Sequence, residues 1–273
     1  MSRIAVVQMT SSRKVADNLN YLTMQVEILA QQRVKLILTP ENVLIFGQQA
    51  DYYQYAERLN DGPIQKQLAE LARRHQVWLV IGSFPIQRES GVSTTMLVFD
   101  SSGQLIEDYD KLHMFDVDVA DSHHRYRESD IFSSGSQVKV SQSCIGALGL
   151  TICYDLRFSA LYNELASQGA QILLVPAAFT AVTGQAHWEV LLRARAIETQ
   201  CWVVAANQTG THEGGRKTWG HSMIINPWGE VVAQLRQESE NLVAEIDLGL
   251  IEQVRSKMPI KEHARFGSHF IER

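Results

Sequence analysis

Cys153 stands where an apolar run becomes polar. The stretch "GALGLTICYDLRF" (146–158) opens as a buried strand would, with Gly149, Leu150, Thr151 and Ile152, and then presents Cys153, Tyr154, Asp155 and Arg157 in quick succession. A thiol, a carboxylate and a guanidinium at the carboxyl end of a strand sit where α/β proteins gather ligands and reacting groups. Glu41 follows "LILTP", in which Pro40 forces an extended approach, and Lys111 ends "EDYDK"; both also fall at expected strand ends. Each has a plainer reading alone: a surface or helix-opening glutamate, an exposed lysine beside acidic neighbours, a small free thiol that fills space. A nucleophilic thiol also needs a base, and His113, His123, His124, His187 and His221 could supply one, as in Cys–His hydrolases. A metal site at His123 and His124 is disfavoured, because adjacent side chains diverge and no H-E-x-x-H spacing is present.

The elements that must position these groups alternate. "RIAVVQM" (3–9) reads as a strand, 18–34 has helical spacing, and "KLILTPE" (35–41) is a second strand. A helix over 63–77 opens with Pro63 and leads into a strand over 77–84, after which "TTMLVFD" and "QLIEDYDK" flank the turn "SSG" as a hairpin. Cys153 is expected to close a strand over 146–153. A helix over 158–169 with Gly169 at its C-terminus, a strand over 170–178, a helix over 185–200 and a strand over 201–208 follow. "NPWG" marks a turn within 221–235, and 241–248 is a last strand before a short helix. Helices alternating with strands require layered α/β packing, and the hairpins make the sheet mixed; whether there is one sheet or two stays open. No linker or repeat interrupts the pattern, so one domain is expected over 1–273.

Charge and composition narrow the function classes. A net charge of −5 without a Lys/Arg block argues against a nucleic-acid surface. No apolar run approaches the ~20 residues that span a bilayer, and the start "MSRIAVVQMT" lacks the features of a secretory signal, so a cytoplasmic protein is expected. Cys144, Cys153 and Cys201 are odd in number with no C-x-x-C spacing, which disfavours both a disulfide framework and structural zinc.

Together, "LTPEN" with Glu41, "YDKLHMFDVD" with Lys111 and "GLTICYDLRF" with Cys153 resemble the three ordered motifs of the nitrilase superfamily, the carbon–nitrogen hydrolases. The resemblance runs from "IAVVQM" to "LVAEIDL", and the family's fourth catalytic position looks like Glu128 in "YRESD". It implies a four-layer α-β-β-α sandwich that commonly pairs into a homodimer or a larger homo-oligomer through helices flanking the nucleophile strand. The segment 183–208 resembles the amidases acting on deaminated glutathione, with omega-amidases as near relatives. On its own terms that segment is an amphipathic helix, with Glu189 and Arg193 at i,i+4, Arg195 and Glu198 at i,i+3, and Trp188, Leu191 and Leu192 on an apolar face. The loop "DSHHRYRESD" departs from the pattern in being more basic and His-rich.

By this resemblance Cys153 attacks an amide carbonyl to form a thioester, which divides one high barrier into two lower ones. Glu41 takes the thiol proton and hands it to the leaving amine. Lys111 and the backbone N–H of Tyr154 face the oxyanion, and Glu128 holds Lys111, substrate or water. No metal or organic cofactor is implied. The substrate would be a small anionic amide, and Arg157, Arg125 and Arg127 are placed to meet its carboxylates. A protein that had kept only the scaffold for interactions would be expected to have lost at least one of the four catalytic positions.

Overall fold

A computed structural model describes residues 1–121, 124–267, 269 and 271. The elements in chain order are β1 (Ser2–Val7), α1 (Val15–Gln31), β2 (Leu36–Leu38), α2 (Gln49–Tyr55), β3 (Glu57–Arg58), α3 (Pro63–His75), β4 (Trp78–Arg88), β5 (Gly91–Phe99) and β6 (Leu105–Asp110). A small hairpin, β7 (Asp116–Asp118) and β8 (Arg125–Arg127), leads to β9 (Val140–Ser143), β10 (Gly146–Leu150), α4 (Ser159–Ser167), β11 (Ile172–Ala177), α5 (Ala181–Thr199) and β12 (Trp202–Asn207). The chain finishes with β13 (Thr209–Thr211), β14 (Lys217–Trp219), β15 (Met223–Ile225), β16 (Val231–Gln234), β17 (Asn241–Ile246), α6 (Gly249–Lys257) and α7 (Ile260–His263).

Two mixed sheets result. One has the order β17-β1-β2-β4-β5-β6, with β3 beside β4; the other runs β16-β15-β12-β11-β10-β9. The parallel pairings are those that a helical crossover joins, such as β1–β2 and β11–β12, while β4–β5 and β5–β6 are antiparallel hairpins. Period-two alternation builds the layers. Ile4 and Val6 of β1 enter the core between the sheets, whereas Ala5 and Val7 enter the core under α1 and α3. On the far side, Leu161 and Leu165 of α4 and Trp188 and Leu192 of α5 cover the second sheet. The architecture is an α-β-β-α sandwich, and each aliphatic side chain taken fully from water contributes roughly 2 kcal/mol to it.

Helix boundaries follow local chemistry. Buried Val15, Asn18, Leu22, Val26 and Leu29 trace one stripe of α1, which begins earlier than the expected residue 18 and stops before Arg33 at φ 58°. The expected strand over 35–41 shrinks to Leu36–Leu38, because Pro40 ends pairing before Glu41. β4 runs on through Pro85 to Arg88, beyond the expected end at 84, and pairs with β5 across a register shift between Ile81 and Phe84. Cys153 does not close its strand. β10 ends at Leu150, and Cys153 opens a separate 3-10 turn with φ 49°.

Gly82 lies in the β4 irregularity where the two sheets approach: a Cβ there would collide with the carbonyls of Thr39 and Pro40 and with the Pro176 side chain. Gly82→Ala should therefore lower the unfolding free energy by about 2 kcal/mol or more, measured by urea denaturation.

Candidate active site

The first sheet delivers charge to the carboxyl ends of its strands. Glu41 sits three residues beyond β2, and Lys111 is the residue after β6. Glu128 opens a short 3-10 turn directly after β8. Lys111 is fully buried, and its Nζ donates to Glu41 Oε1 at 2.8 Å and to Glu128 Oε1 and Oε2 at 2.8 and 2.7 Å. Each carboxylate also receives a backbone N–H: Ala178 donates to Glu41 Oε2 at 2.8 Å, and Phe115 donates to Glu128 Oε2 at 2.7 Å. Burial disfavours the Lys111 ammonium, yet the two glutamates outweigh it and hold its pKa well above the ordinary value. Burial raises the pKa of Glu128, Lys111 opposes that, and the negative charge of Glu41 adds to it.

Cys153 comes to this cluster from the second sheet. Its turn is fastened by Asp155, which is wholly buried and accepts from the backbone N–H of Ile152 (2.8 Å) and of His113 (3.1 Å) and from the Tyr109 hydroxyl (2.7 Å). Arg195 of α5 donates Nε to the Leu156 carbonyl at 3.0 Å, fixing the same turn from the helix side. The Cys153 thiol is pushed well above its ordinary pKa, first by burial and then by the nearby Glu41, with Lys111 opposing. At neutral pH the resting group is a thiol with the Glu41 carboxylate beside it. That arrangement suits proton removal at the moment of attack, by Glu41.

These four residues share one cleft of about 730 Å³, a volume that includes its open mouth. Tyr154, Arg157 and Arg127 also line it. Arg157 Nη1 lies 3.2 Å from His187 Nδ1, and its guanidinium rests over the Tyr154 and Phe179 rings, at 5.7 and 5.2 Å from their centroids. Arg127 is at the wall, but its guanidinium is turned into its own hairpin, donating to the Val117 and Tyr126 carbonyls and pairing with Asp118 at 3.1 Å. Arg125 is not brought to the cleft. It is exposed on β8 opposite Asp118, at the end of the hairpin away from Glu128.

No histidine lines the cleft among the described residues. His113 places Nδ1 2.7 Å from Asp155 Oδ1 and stacks on Phe158. His187 meets Arg157, His221 stacks on Trp219, and His124 is exposed. His123 lies outside the described residues. The residue adjacent to the thiol is thus the carboxylate of Glu41, which favours a Cys–Glu arrangement over a Cys–His one.

Sequence reasoning passed over Arg216, in the turn between β13 and β14, which lines the cleft and donates Nη2 to the Ala178 carbonyl at 2.9 Å. The glycines of "EGGRK" at φ 92° and 86° mark the turn, but nothing local tells where its arginine points. Arg216 rests over Phe46, and Phe46 stacks on His212 at 3.7 Å between ring centroids. Asp155 was likewise visible only as part of a polar cluster.

The carbon–nitrogen hydrolase family profile matches residues 3–256. A deaminated glutathione amidase from Yersinia enterocolitica is 46% identical over 275 residues, covering 100% of this chain and 96% of that protein. An omega-amidase from Danio rerio is 35% identical, covering 96% of this chain and 94% of its own. The crystal structure of the NitFhit protein of C. elegans superposes with a TM-score of 0.89 at 38% identity; the match covers 97% of this chain and 65% of that longer one.

His212 gives the wall a pH dependence. Burial lowers its pKa from 6.5 to about 4, while Nδ1 faces the Ser11 carbonyl at 2.9 Å and Nε2 faces the Thr218 hydroxyl at 2.8 Å. The unfolded chain therefore takes up this proton first as pH falls. The stability this residue supports is present above pH 6.5 and is lost as pH drops through about 4, by about 3 kcal/mol at most. Urea denaturation across that window should show the wild type losing stability, and His212→Gln losing less of it.

Proposed function

The chain belongs to the carbon–nitrogen hydrolases and is an amidase within that family, and from this premise we propose that it hydrolyses deaminated glutathione. Cleavage of the amide joining the 2-oxoglutaryl group to cysteinylglycine would yield 2-oxoglutarate and the dipeptide. The observation that carries the chemistry is the Lys111 bridge between Glu41 and Glu128 in the cleft that holds Cys153. The relative from Yersinia enterocolitica supports the substrate.

Cys153 Sγ attacks the amide carbonyl as Glu41 takes its proton. The negative charge that develops on the carbonyl oxygen is met by Lys111, kept cationic by its two carboxylates, and by the backbone N–H of Tyr154. Glu41 returns the proton to the departing amine, leaving a thioester. Water, deprotonated by Glu41, then releases the acid and restores the thiol. Glu128 acts through Lys111, whose position and charge it fixes. Arg157 pairs with the keto-acid carboxylate, its flat cation oriented by Tyr154 and Phe179. Arg127, already paired with Asp118, shapes the wall. Self-association as a homodimer is supported by the apolar side chains that α5 leaves exposed, Val190 at 62% and Ile197 at 50%, with Trp228 at 54%.

Cys153→Ala should abolish turnover and leave the urea midpoint nearly unchanged. Glu41→Gln and Lys111→Met should each lose about 10²-fold or more in kcat, read by steady-state product release. A comparable loss in His113→Ala or His187→Ala, with these two unaffected, would establish a histidine base instead. On substrate choice, initial rates should give a higher kcat/KM for deaminated glutathione than for 2-oxoglutaramate. A tenfold preference for 2-oxoglutaramate would assign the protein to the omega-amidases, of which the Danio rerio relative is one.

A further inference from the structure

The charged side chains lining the cleft are Glu41, Lys111, Arg127, Glu128, Arg157 and Arg216. Lys111 is paired with both glutamates, and Arg127 is paired with Asp118. Arg157 and Arg216 have no carboxylate within ion-pair distance among the described residues; Arg157 meets His187 Nδ1 and Arg216 donates to the Ala178 carbonyl. The cleft thus presents two cations that the fold itself does not neutralise. A one-carboxylate amide such as 2-oxoglutaramate can occupy only one of them, whereas deaminated glutathione carries two carboxylates on opposite sides of the scissile bond.

Arg216 is prepared for an anion. Its guanidinium carbon lies 5.2 Å from the Phe46 ring centroid and 5.0 Å from that of Tyr126, so the cation is held between two aromatic rings. One edge is held by the Ala178 carbonyl, and its Nε is buried with no hydrogen-bond partner among the described residues. The part of the guanidinium that lines the cleft, already fixed by these contacts, loses little freedom on meeting a carboxylate.

The chain also says which half of the substrate Arg216 meets. Ala178 donates its N–H to Glu41 and its carbonyl accepts from Arg216. In the proposed reaction Glu41 protonates the departing amine, so the amine half of the substrate lies on the Glu41 and Ala178 side. Arg157 travels instead with the Cys153 turn and rests over Tyr154. We infer that Arg216 binds the terminal carboxylate of the leaving dipeptide and thereby selects a two-carboxylate amide over a one-carboxylate one. This inference rests on the deaminated-glutathione reading above and assigns that substrate's second anchor.

The test is a cycle of substrate against enzyme. Wild type and Arg216→Met are assayed for kcat/KM on deaminated glutathione, on the same compound with its glycine carboxylate converted to a carboxamide, and on 2-oxoglutaramate. Wild type should lose about 10- to 100-fold on passing from acid to carboxamide. Arg216→Met should lose a similar factor on the acid, discriminate little between acid and carboxamide, and fall far less on 2-oxoglutaramate. Equal losses on all three substrates would overturn the inference, since they would mean that Arg216 only positions Ala178 and Glu41. Wild-type indifference between acid and carboxamide, with deaminated glutathione still preferred to 2-oxoglutaramate, would overturn the Arg216 assignment and leave the substrate reading standing. A tenfold wild-type preference for 2-oxoglutaramate would sink the substrate reading and this inference with it. Should the methionine variant fail to fold, Arg216→Lys, which keeps the charge without the fork, takes its place and should keep only part of the acid-over-carboxamide discrimination; discrimination equal to the wild type's, with a wild-type rate on the acid, would overturn the assignment.

Discussion

Lys111 cannot be buried alone. An ammonium removed from water costs several kcal/mol unless carboxylates meet it at hydrogen-bond distance, and removing one member of such a set leaves the others uncompensated. Glu41 and Glu128 supply that partnership from separate elements, one beyond β2 and the other beyond β8. The ends of β2, β6 and β8 must therefore converge on one point. Two carboxylates against one ammonium leave an excess of negative charge, which the N–H groups of Ala178 and Phe115 partly offset. Burial first, and then the nearby Glu41 charge, holds the Cys153 thiol in its protonated form.

β6 also sets the turn that carries Cys153. Tyr109 and Lys111 are two residues apart, so they leave the β6 line on one face. Tyr109 donates its hydroxyl to Asp155 while Lys111 reaches the glutamates. Asp155 in turn closes the turn that begins at Cys153 with a positive φ, a conformation that costs roughly 1–3 kcal/mol for a residue with a Cβ. The strain is held by wholly buried bonds on one side and by Arg195 on the other. Position and chemistry are thus coupled: a shift of β6 would move both the cation and the thiol.

How much of this was legible in the sequence depends on the range of the interaction. Periodicity places α1, α3 and α5 to within a few residues, because burial of a stripe is a local property of the chain. The order Glu41, Lys111, Glu128, Cys153 was readable as a resemblance, and all four line one cleft. The end of β10 was misplaced, since "TIC" continues an apolar run, and only the Asp155 bond to the Ile152 N–H shows that the chain has already turned. Arg125 and Arg127 looked equivalent in "HRYRES". Their difference arises from Asp118 and the Val117 carbonyl, which reach Arg127 only because β7 folds back on β8, a pairing that periodicity does not reveal. Arg216 is the converse case: it is remote from every motif, and pairing of β13 with β14 carries it to Ala178.

Long-range charge works against the proposed substrate, and local charge must overcome it. The chain carries a net charge of −5, and two of its carboxylates, Glu41 and Glu128, lie in the cleft itself. Attraction over distances beyond ~10 Å is screened by salt, so entry is governed by the few cations at the wall. Those cations are arginines resting on aromatic rings, which hold each guanidinium in place without neutralising it. His212 beneath Phe46 stays uncharged above about pH 4, so it adds no second positive charge beside Arg216 at neutral pH. An anion at either arginine thus meets a single oriented donor set. In the proposed reaction the two ends of the substrate are held while the carbonyl between them changes geometry, so binding energy at the remote end can be realised in the transition state rather than in the ground state alone.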